Sequence, residues 1–339
     1  MSLRGSSPSR GLRAIIALAL ALSLSPWPAA ASPNTSLASV SRQVDQLQTD
    51  AADAAEAANG AQVRLTALLH TLSGVQGQQA QQGAALKTLK HNLGVIAASA
   101  YKNGGLGEGI QLLFAQNPSE YLASASALEV VTEAQGVQLR RYATAEQRFH
   151  QTSMLVGDRV KLVQATQREL AASAALAQAK LAAVQRLLNS LKSAERKRYL
   201  AQQAARQKAD KKSSLSSAKL GNTISGRAGI ALRFAMRQIG DAYYFGAAGP
   251  TRWDCSGLTM VAFAQAGVSL PHSSQAQIHY GRKVSRGSLQ PGDLVFFYRG
   301  ISHVGIYLGH GLVVHAPRPG LDVKVESISA MPFAGAVRL

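Results

Sequence analysis

The chain has 339 residues, enough for about two domains at the usual ~100–200 residues each. Its formal charge is +18, from 36 Lys and Arg against 18 Asp and Glu, which points to an anionic partner: nucleic acid, a membrane surface or an acidic polymer. A single cysteine excludes an internal disulfide, so its thiol is a small buried hydrophobe, half of an intermolecular bridge, or a reactive group.

At the start of the chain, Arg4, Arg10 and Arg13 lead into an apolar run from Ala14 to Leu24, and Ala29-Ala30-Ala31 offers small residues for cleavage. This is the form of a secretory signal peptide over residues 1–31. The apolar run stops at Ser25-Pro26, well short of the ~20 residues that a membrane span needs. Export makes a nucleic-acid partner unexpected and the anionic cell envelope the natural target, so a secreted, extracytoplasmic, wall-associated protein is expected.

Residues 32–206 read as helical. From Val40 to Ala100 apolar residues recur in alternating steps of four and three, interrupted only at Gln79 and Gln82. A seam of mean period 3.5 sustained over that length predicts a coiled coil. Its many alanines predict close helix approach. The sequence Asn103-Gly104-Gly105 breaks the pattern, and a returning seam runs through Leu170, Ala174, Ala177, Leu181, Val184, Leu188 and Leu191. An antiparallel hairpin within the chain is the simplest reading, although heptads do not fix strand direction and an intermolecular dimer fits the same seam. Residues 140–219 carry 17 Lys and Arg against five Asp and Glu. That run is either a solvated helix face or a surface that holds anionic wall polymer or phospholipid. Residues 207–226 turn to Lys, Ser, Asn and Gly and read as a flexible linker.

Residues 227–339 form a region of different character, with Gly, Pro, aromatics and short β-rich runs, long enough for one compact domain. Ala228 to Ile239 reads as a helix stopped by Gly240. Asp254 and Cys255 open a second helix, closed by Gly267. Cys255 is therefore expected at a helix N-terminus, where unpaired N–H groups and the positive dipole end favour thiolate over thiol. A base is needed, and five of the eight histidines lie in this region: His272, His279, His303, His310 and His315. His303 begins a strand on which Val304, Ile306 and Leu308 share one face and His303 and Tyr307 the other. A three-residue turn Gly309-His310-Gly311 would set Leu308 opposite Leu312 and Gly305 opposite His315. His303 and His315 then become diagonal neighbours on one face, whereas a two-residue turn would separate them. The expected triad is Cys255 as nucleophile, His303 as general base and then acid, and His315 holding the ring of His303 in its tautomer. His272, His279 and His310 read as structural. No metal or cofactor is expected.

The residues in order are Ile239-Gly240, Tyr243, Gly246, Gly249-Pro250, Asp254-Cys255-Ser256-Gly257-Leu258, Gly267, Leu270-Pro271, Ser274, Gln277, Pro291-Gly292-Asp293-Leu294, His303-Val304-Gly305-Ile306-Tyr307 and His315-Ala316-Pro317. This string resembles the NlpC/P60 peptidases, papain-like cysteine enzymes that cleave peptidoglycan stem peptides. The resemblance implies an α+β papain-like catalytic domain, a central antiparallel sheet against helices, following a long all-α antiparallel coiled-coil hairpin. It implies cleavage between D-glutamate and meso-diaminopimelate, as in many members with such leaders. It makes the backbone N–H of Cys255 and the hydroxyl of Tyr243 candidate oxyanion donors. Asp254 and Ser256 become a substrate-facing or N-capping pair. The chain departs from the family where Phe245-Gly246-Ala247 replaces Trp-Gly-Gly and where His272 replaces the Arg that often follows Leu-Pro. More loosely, the coiled coil resembles leaders of envelope hydrolases controlled by a membrane transporter complex of the division machinery, which makes it a regulatory arm or a passive spacer. A thiol acyltransferase on the same fold and a silent wall-binding adaptor are the rival readings.

Overall fold

The computed structural model describes residues 37–102, 118–218 and 224–339. The expected signal peptide and the expected turn at Asn103-Gly104-Gly105 lie outside the described residues. Helix α1 (Leu37–Lys102) and helix α2 (Pro118–Ser190) pack along one another. Their cross-helix bonds run Asp50 to Lys180, Arg64 to Glu169 and Gln79 to Ser153, so one partner number falls as the other rises and the pair is antiparallel. The seam read from the sequence is the seam that packs: Val40, Val44, Ala51, Ala54, Ala58, Ala61 and Leu65 are buried on α1, with Val163, Ala177 and Val184 on α2. At the polar interruption, Gln79 donates to Ser153 Oγ at 2.9 Å and Ser153 donates to the Phe149 carbonyl at 2.8 Å.

Helix α3 (Ser193–Ala218) follows after a two-residue break. It corrects the expectation of a flexible linker from residue 207: Gln207 to Ala218 are helical. Lys, Ala and Gln between positions 201 and 212 are good helix formers, and the polar composition reflects an exposed face rather than disorder. The serines at its end have local partners, Ser216 and Ser217 bonding to the carbonyls one turn back, while Ser214 is buried against the domain that follows.

That domain contains α4 (Gly226–Arg237), β1 (Ala242–Tyr243), β2 (Arg252–Trp253), α5 (Cys255–Ala264), the single turn α6 (Ser274–Gln277), and six further strands. These are β3 (Arg282–Lys283), β4 (Leu294–Phe297), β5 (His303–Gly309), β6 (Leu312–His315), β7 (Lys324–Ser327) and β8 (Phe333–Arg338). The sheet order is β3-β8-β4-β5-β6-β7 and every neighbouring pair is antiparallel. The alternation expected in β5 and β6 sorts their side chains. Val304, Ile306, Leu308 and Val314 join Leu232, Leu258 and Phe263 of α4 and α5 in the main core. Val313 and Tyr307 face the other side with Val295, Phe297 and Met331. Full burial of one such Leu or Phe side chain contributes about 1.5–3 kcal/mol, so the α5-to-sheet contact fixes the helix start firmly.

The turn between β5 and β6 differs in detail from the three-residue form. Gly309 pairs with Leu312, leaving His310-Gly311 as a two-residue turn with φ 53° and 74°, and the register shifts between Tyr307 and Gly309. Leu308 is the extra residue of a β-bulge. The bulge restores the parity that the short turn alone would reverse, since Ile306 pairs with Val314 and the next residues in register are Gly305 and His315.

Candidate active site

Cys255 is the first residue of α5, and Asp254 is its N-cap, accepting from the Gly257 N–H at 2.6 Å. The helix start expected from the sequence is therefore present. Asp254 does more than cap. It also accepts from the Gly246 N–H at 2.9 Å, and both of its oxygens lie within 2.9 Å of His272 Nε2. His272, expected to be a structural histidine, stands beside the Cys255 helix, bonded to the capping carboxylate. Burial disfavours its charged form, but the Asp254 carboxylate outweighs that and its pKa is raised.

His303 and His315 are both buried, and their rings meet at 2.7 Å between His303 Nε2 and His315 Nδ1. On the far side of His315, Nε2 lies 3.3 Å from the Glu326 carboxylate of β7. The sequence reading stopped at β6 and missed Glu326, although Glu326 pairs with Val313 and so shares a face with His315. This order favours one arrangement of the protons. With Glu326 opposite Nε2, His315 carries its hydrogen there and offers Nδ1 as acceptor. His303 then donates through Nε2 and keeps an unprotonated Nδ1. Burial pushes the pKa of both rings below the ordinary value, furthest for His303, where His315 adds to the effect, so the pair is neutral at pH 7. Burial would raise Glu326, but His315 and the Lys324 ammonium at 3.0 Å bring it to about 2. The backbone N–H of Val304, next to His303, is among the groups that favour the charged form of the Cys255 thiol.

The thiol itself is not depressed. Burial pushes its pKa well above the ordinary value, and the carboxylates of Glu56 and Asp254 add to the rise against the N–H groups of Val304 and Ser256. The ready thiolate expected at the helix start is thus opposed by burial first and then by the two carboxylates, of which Glu56 comes from α1. The helix lies across the groove with Glu56 inserted: its Oε2 is 3.8 Å from Cys255 Sγ and accepts from Ser256 Oγ at 2.9 Å, and its Oε1 accepts from the Ser274 N–H. One turn on, Asn59 Nδ2 donates to Asp254 Oδ2 at 3.1 Å. Glu56 is 2% exposed with no cation in contact among the described residues, and burial together with Asp254 raises its pKa to about 7.

Tyr243 of β1 is buried near this cluster; burial, then the charges of Cys255 and Asp254, raise its pKa well above the ordinary value. Ser256 is fully buried, bonded to Glu56 and at 3.4 Å to Asp254. Thus the structure gathers Tyr243, Asp254, Cys255 and Ser256 at one end of the groove and the pair His303 and His315 along β5 and β6. His310 lies in the turn, with its φ of 53°, apart from both groups. Sequence reasoning missed Glu56 and Asn59. Their surroundings, the small residues from Ala51 to Gly60, read in the sequence only as part of the seam, and burial on two helix faces appears first in the structure.

Compared with known proteins, residues 240–337 match the NlpC/P60 family. The C-terminal region is an NlpC/P60 domain. A probable endopeptidase of Corynebacterium glutamicum is 49% identical over 104 residues, 31% of this chain and 50% of that protein. A probable endopeptidase of Mycobacterium bovis is 53% identical over 91 residues, 27% of this chain and 24% of that protein. The chain thus spans about half the length of the first relative and about a quarter of the second. A solved NlpC/p60 domain of the peptidoglycan hydrolase SagA is 33% identical, matching 33% of this chain and 98% of that one with a TM-score of 0.32. The matches fall on the NlpC/P60 domain, and the helices α1 and α2 precede it as the leader expected from the sequence.

Proposed function

We propose that the protein is a secreted peptidoglycan DL-endopeptidase that cleaves stem peptides between D-glutamate and meso-diaminopimelate through Cys255, His303 and His315. The observation that carries this reading is the order Glu326, His315, His303: the two rings are hydrogen-bonded at 2.7 Å and the carboxylate stands 3.3 Å from His315 Nε2, an order that suits an unprotonated His303 Nδ1. In the reaction His303 Nδ1 takes the Cys255 proton and the thiolate attacks the scissile carbonyl. The Cys255 N–H, with the Tyr243 hydroxyl, stabilises the oxyanion. His303 then returns its proton to the departing amine, leaving a thioester. Water opens the thioester, giving a proton to His303 and regenerating the thiol. Asp254 and Ser256 face the substrate on the side that Asn59 and Glu56 now fill.

The same contacts support a regulatory role for the hairpin. Glu56 covers the thiol and keeps it protonated, and Asn59 occupies Asp254, so substrate enters only after α1 leaves. The basic run on α2 and α3 suits retention on anionic wall polymer or phospholipid. A membrane-embedded division transporter acting on the hairpin is the kind of regulator this arrangement suits. No nucleic-acid role is proposed.

The test uses the full chain carrying Glu56→Ala and Asn59→Ala, incubated with purified sacculi, with products identified by mass. New termini at D-glutamate and diaminopimelate are expected, in amounts at least tenfold above the parental chain. Adding Cys255→Ala should abolish them while the circular dichroism of the fold persists. Transferred acyl groups would reassign the site to a transferase. Products that survive loss of the sulfur would remove the nucleophile from the scheme.

A further inference from the structure

Beside the two histidines, under α1, lies a cavity of about 180 Å³, several times the ~30 Å³ that one water occupies. Its walls on the domain side include Tyr298, Ser302, His303, His315 and Arg318, and α1 closes it with Thr49, Ala52 and Asp53. Asp254 and Ser256 are not part of this wall, so the cavity is the half of the groove on the histidine side. Arg318 follows the His315-Ala316-Pro317 motif but takes no part in the chemistry above.

The hydrogen bonding of Arg318 is incomplete. Its Nη2 donates to Asp45 Oδ1 at 2.7 Å and its Nη1 reaches Thr49 Oγ1 at 3.5 Å; both partners belong to α1. Its Nε is buried and has no acceptor among the described residues. The other cation on this wall is satisfied: Lys324 sits 3.0 Å from Glu326 and 3.5 Å from Asp210. Among the described residues Arg318 is therefore a guanidinium fork with no acid supplied by its own domain. Departure of α1 would leave it in the groove unpaired. A planar fork with a vacant Nε and a terminal nitrogen matches a carboxylate in bidentate geometry, and such pairs are among the strongest recognition contacts proteins make.

We propose that Arg318 is a specificity-determining residue whose guanidinium binds the distal carboxylate of diaminopimelate, with Asp45 of α1 standing in for that carboxylate while the groove is covered. The inference rests on the peptidase reading. Along its length α1 then presents Asp45 to the Arg318 subsite, Glu56 to the thiol and Asn59 to Asp254, an acidic and amide series that imitates an anionic peptide.

Lysine is diaminopimelate without that one carboxyl group, so the two peptides L-Ala-γ-D-Glu-diaminopimelate and L-Ala-γ-D-Glu-L-Lys isolate the contact. In the full chain carrying Glu56→Ala and Asn59→Ala, the diaminopimelate peptide should be cleaved with kcat/KM at least about tenfold higher, a modest fraction of what a site built to bond a polar group can discriminate. Adding Arg318→Gln should bring the two peptides within about twofold of each other by raising KM for the diaminopimelate peptide alone, leaving kcat for both near the parental value. Arg318→Lys, which keeps the charge but loses the fork, should fall between them. A preference that survives Arg318→Gln, or an equal loss on both peptides, would overturn the assignment. Equal loss would mean that Arg318 holds the fold or a group common to both peptides. If the opened chain cut neither peptide, the peptidase reading would fall first and this inference with it.

Discussion

Glu326 has the most direct bearing on the chemistry of any residue outside the Cys255 helix and the two histidines. Its carboxylate raises the pKa of both rings against the stronger effect of burial. Glu326→Gln removes that charge and with it the preference for a hydrogen on His315 Nε2. In the opened chain the acid limb of the kcat/KM profile should move to lower pH, and kcat should fall on the order of tenfold, part of the 10²–10⁴ a positioned base supplies. An unmoved limb would make Glu326 a support for Lys324 only. The histidine pair was legible in the sequence because side-chain parity in a strand is strict: once Gly305 faces His315, His303 must lie on the same face. The turn length behind that inference was not legible, since Gly309-His310-Gly311 serves a three-residue turn or a two-residue turn with a bulge equally well. Only the pairing of Gly309 with Leu312 decides it. The partner of His272 was not legible for a different reason. A histidine after Leu-Pro carries no local sign of its partner, and the Asp254 carboxylate that binds it is 18 residues away.

At the scale of elements, the seam of α1 was fully readable, while its second buried face was not. Heptad positions Ala51, Ala54 and Ala58 meet α2; Ala55, Glu56 and Gly60 are buried as well. Small side chains on that second face let the helix axis come close enough for Glu56 to reach the thiol. A Cβ at Gly60 would stand 2.8 Å from Gln275 Oε1. In a lone heptad such alanines read as good helix formers and nothing more. Helix α3 plays an equally hidden part. Strand β7 is the edge of the sheet, and an uncovered edge is open to pairing with another chain. Ser214 Oγ accepts from the Val325 N–H at 2.8 Å, capping that edge. Ser214→Ala leaves the N–H without this partner, and thermal unfolding should report a loss of about 1–3 kcal/mol. No change in Tm would mean that water replaces the hydroxyl at no cost.

For the whole molecule, Glu56 couples the seating of α1 to pH. Its seated pKa of about 7 is raised above the ordinary 4.5. Stabilisation of the seated state is therefore fully present below pH 4.5 and lost as pH rises through about 7, roughly tenfold in equilibrium constant per unit between. Groups facing Glu56 are Asp254, Cys255, Ser256 and Ser274 of the domain, with Tyr243 nearby and His272 behind Asp254, and none among the described residues supplies a cation in contact. The buried histidines act in the opposite sense: their depressed values mean that stability of the domain itself is lost as pH falls below the ordinary 6.5. Hydrogen exchange of residues 52–60, corrected for intrinsic rate, separates the two effects. Protection should fall by up to about 100-fold from pH 5 to 7 in the parental chain and stay nearly flat in Glu56→Gln. A parallel decline in both chains would take Glu56 out of the coupling.

The contacts of α1 with the domain extend from Asp45 to Gly60, about 25 Å of helix, while the hairpin continues past Leu65 to Lys102, a further distance on the order of 55 Å. Two antiparallel helices packed along that whole distance resist bending better than one. Force applied across the far end therefore reaches the seated portion as torque, with a mechanical advantage of roughly two set by those lengths. A swing of several ångströms at the outer end would turn into a smaller, stronger prising motion at Glu56, and whatever grips the hairpin could unseat it from far outside the groove.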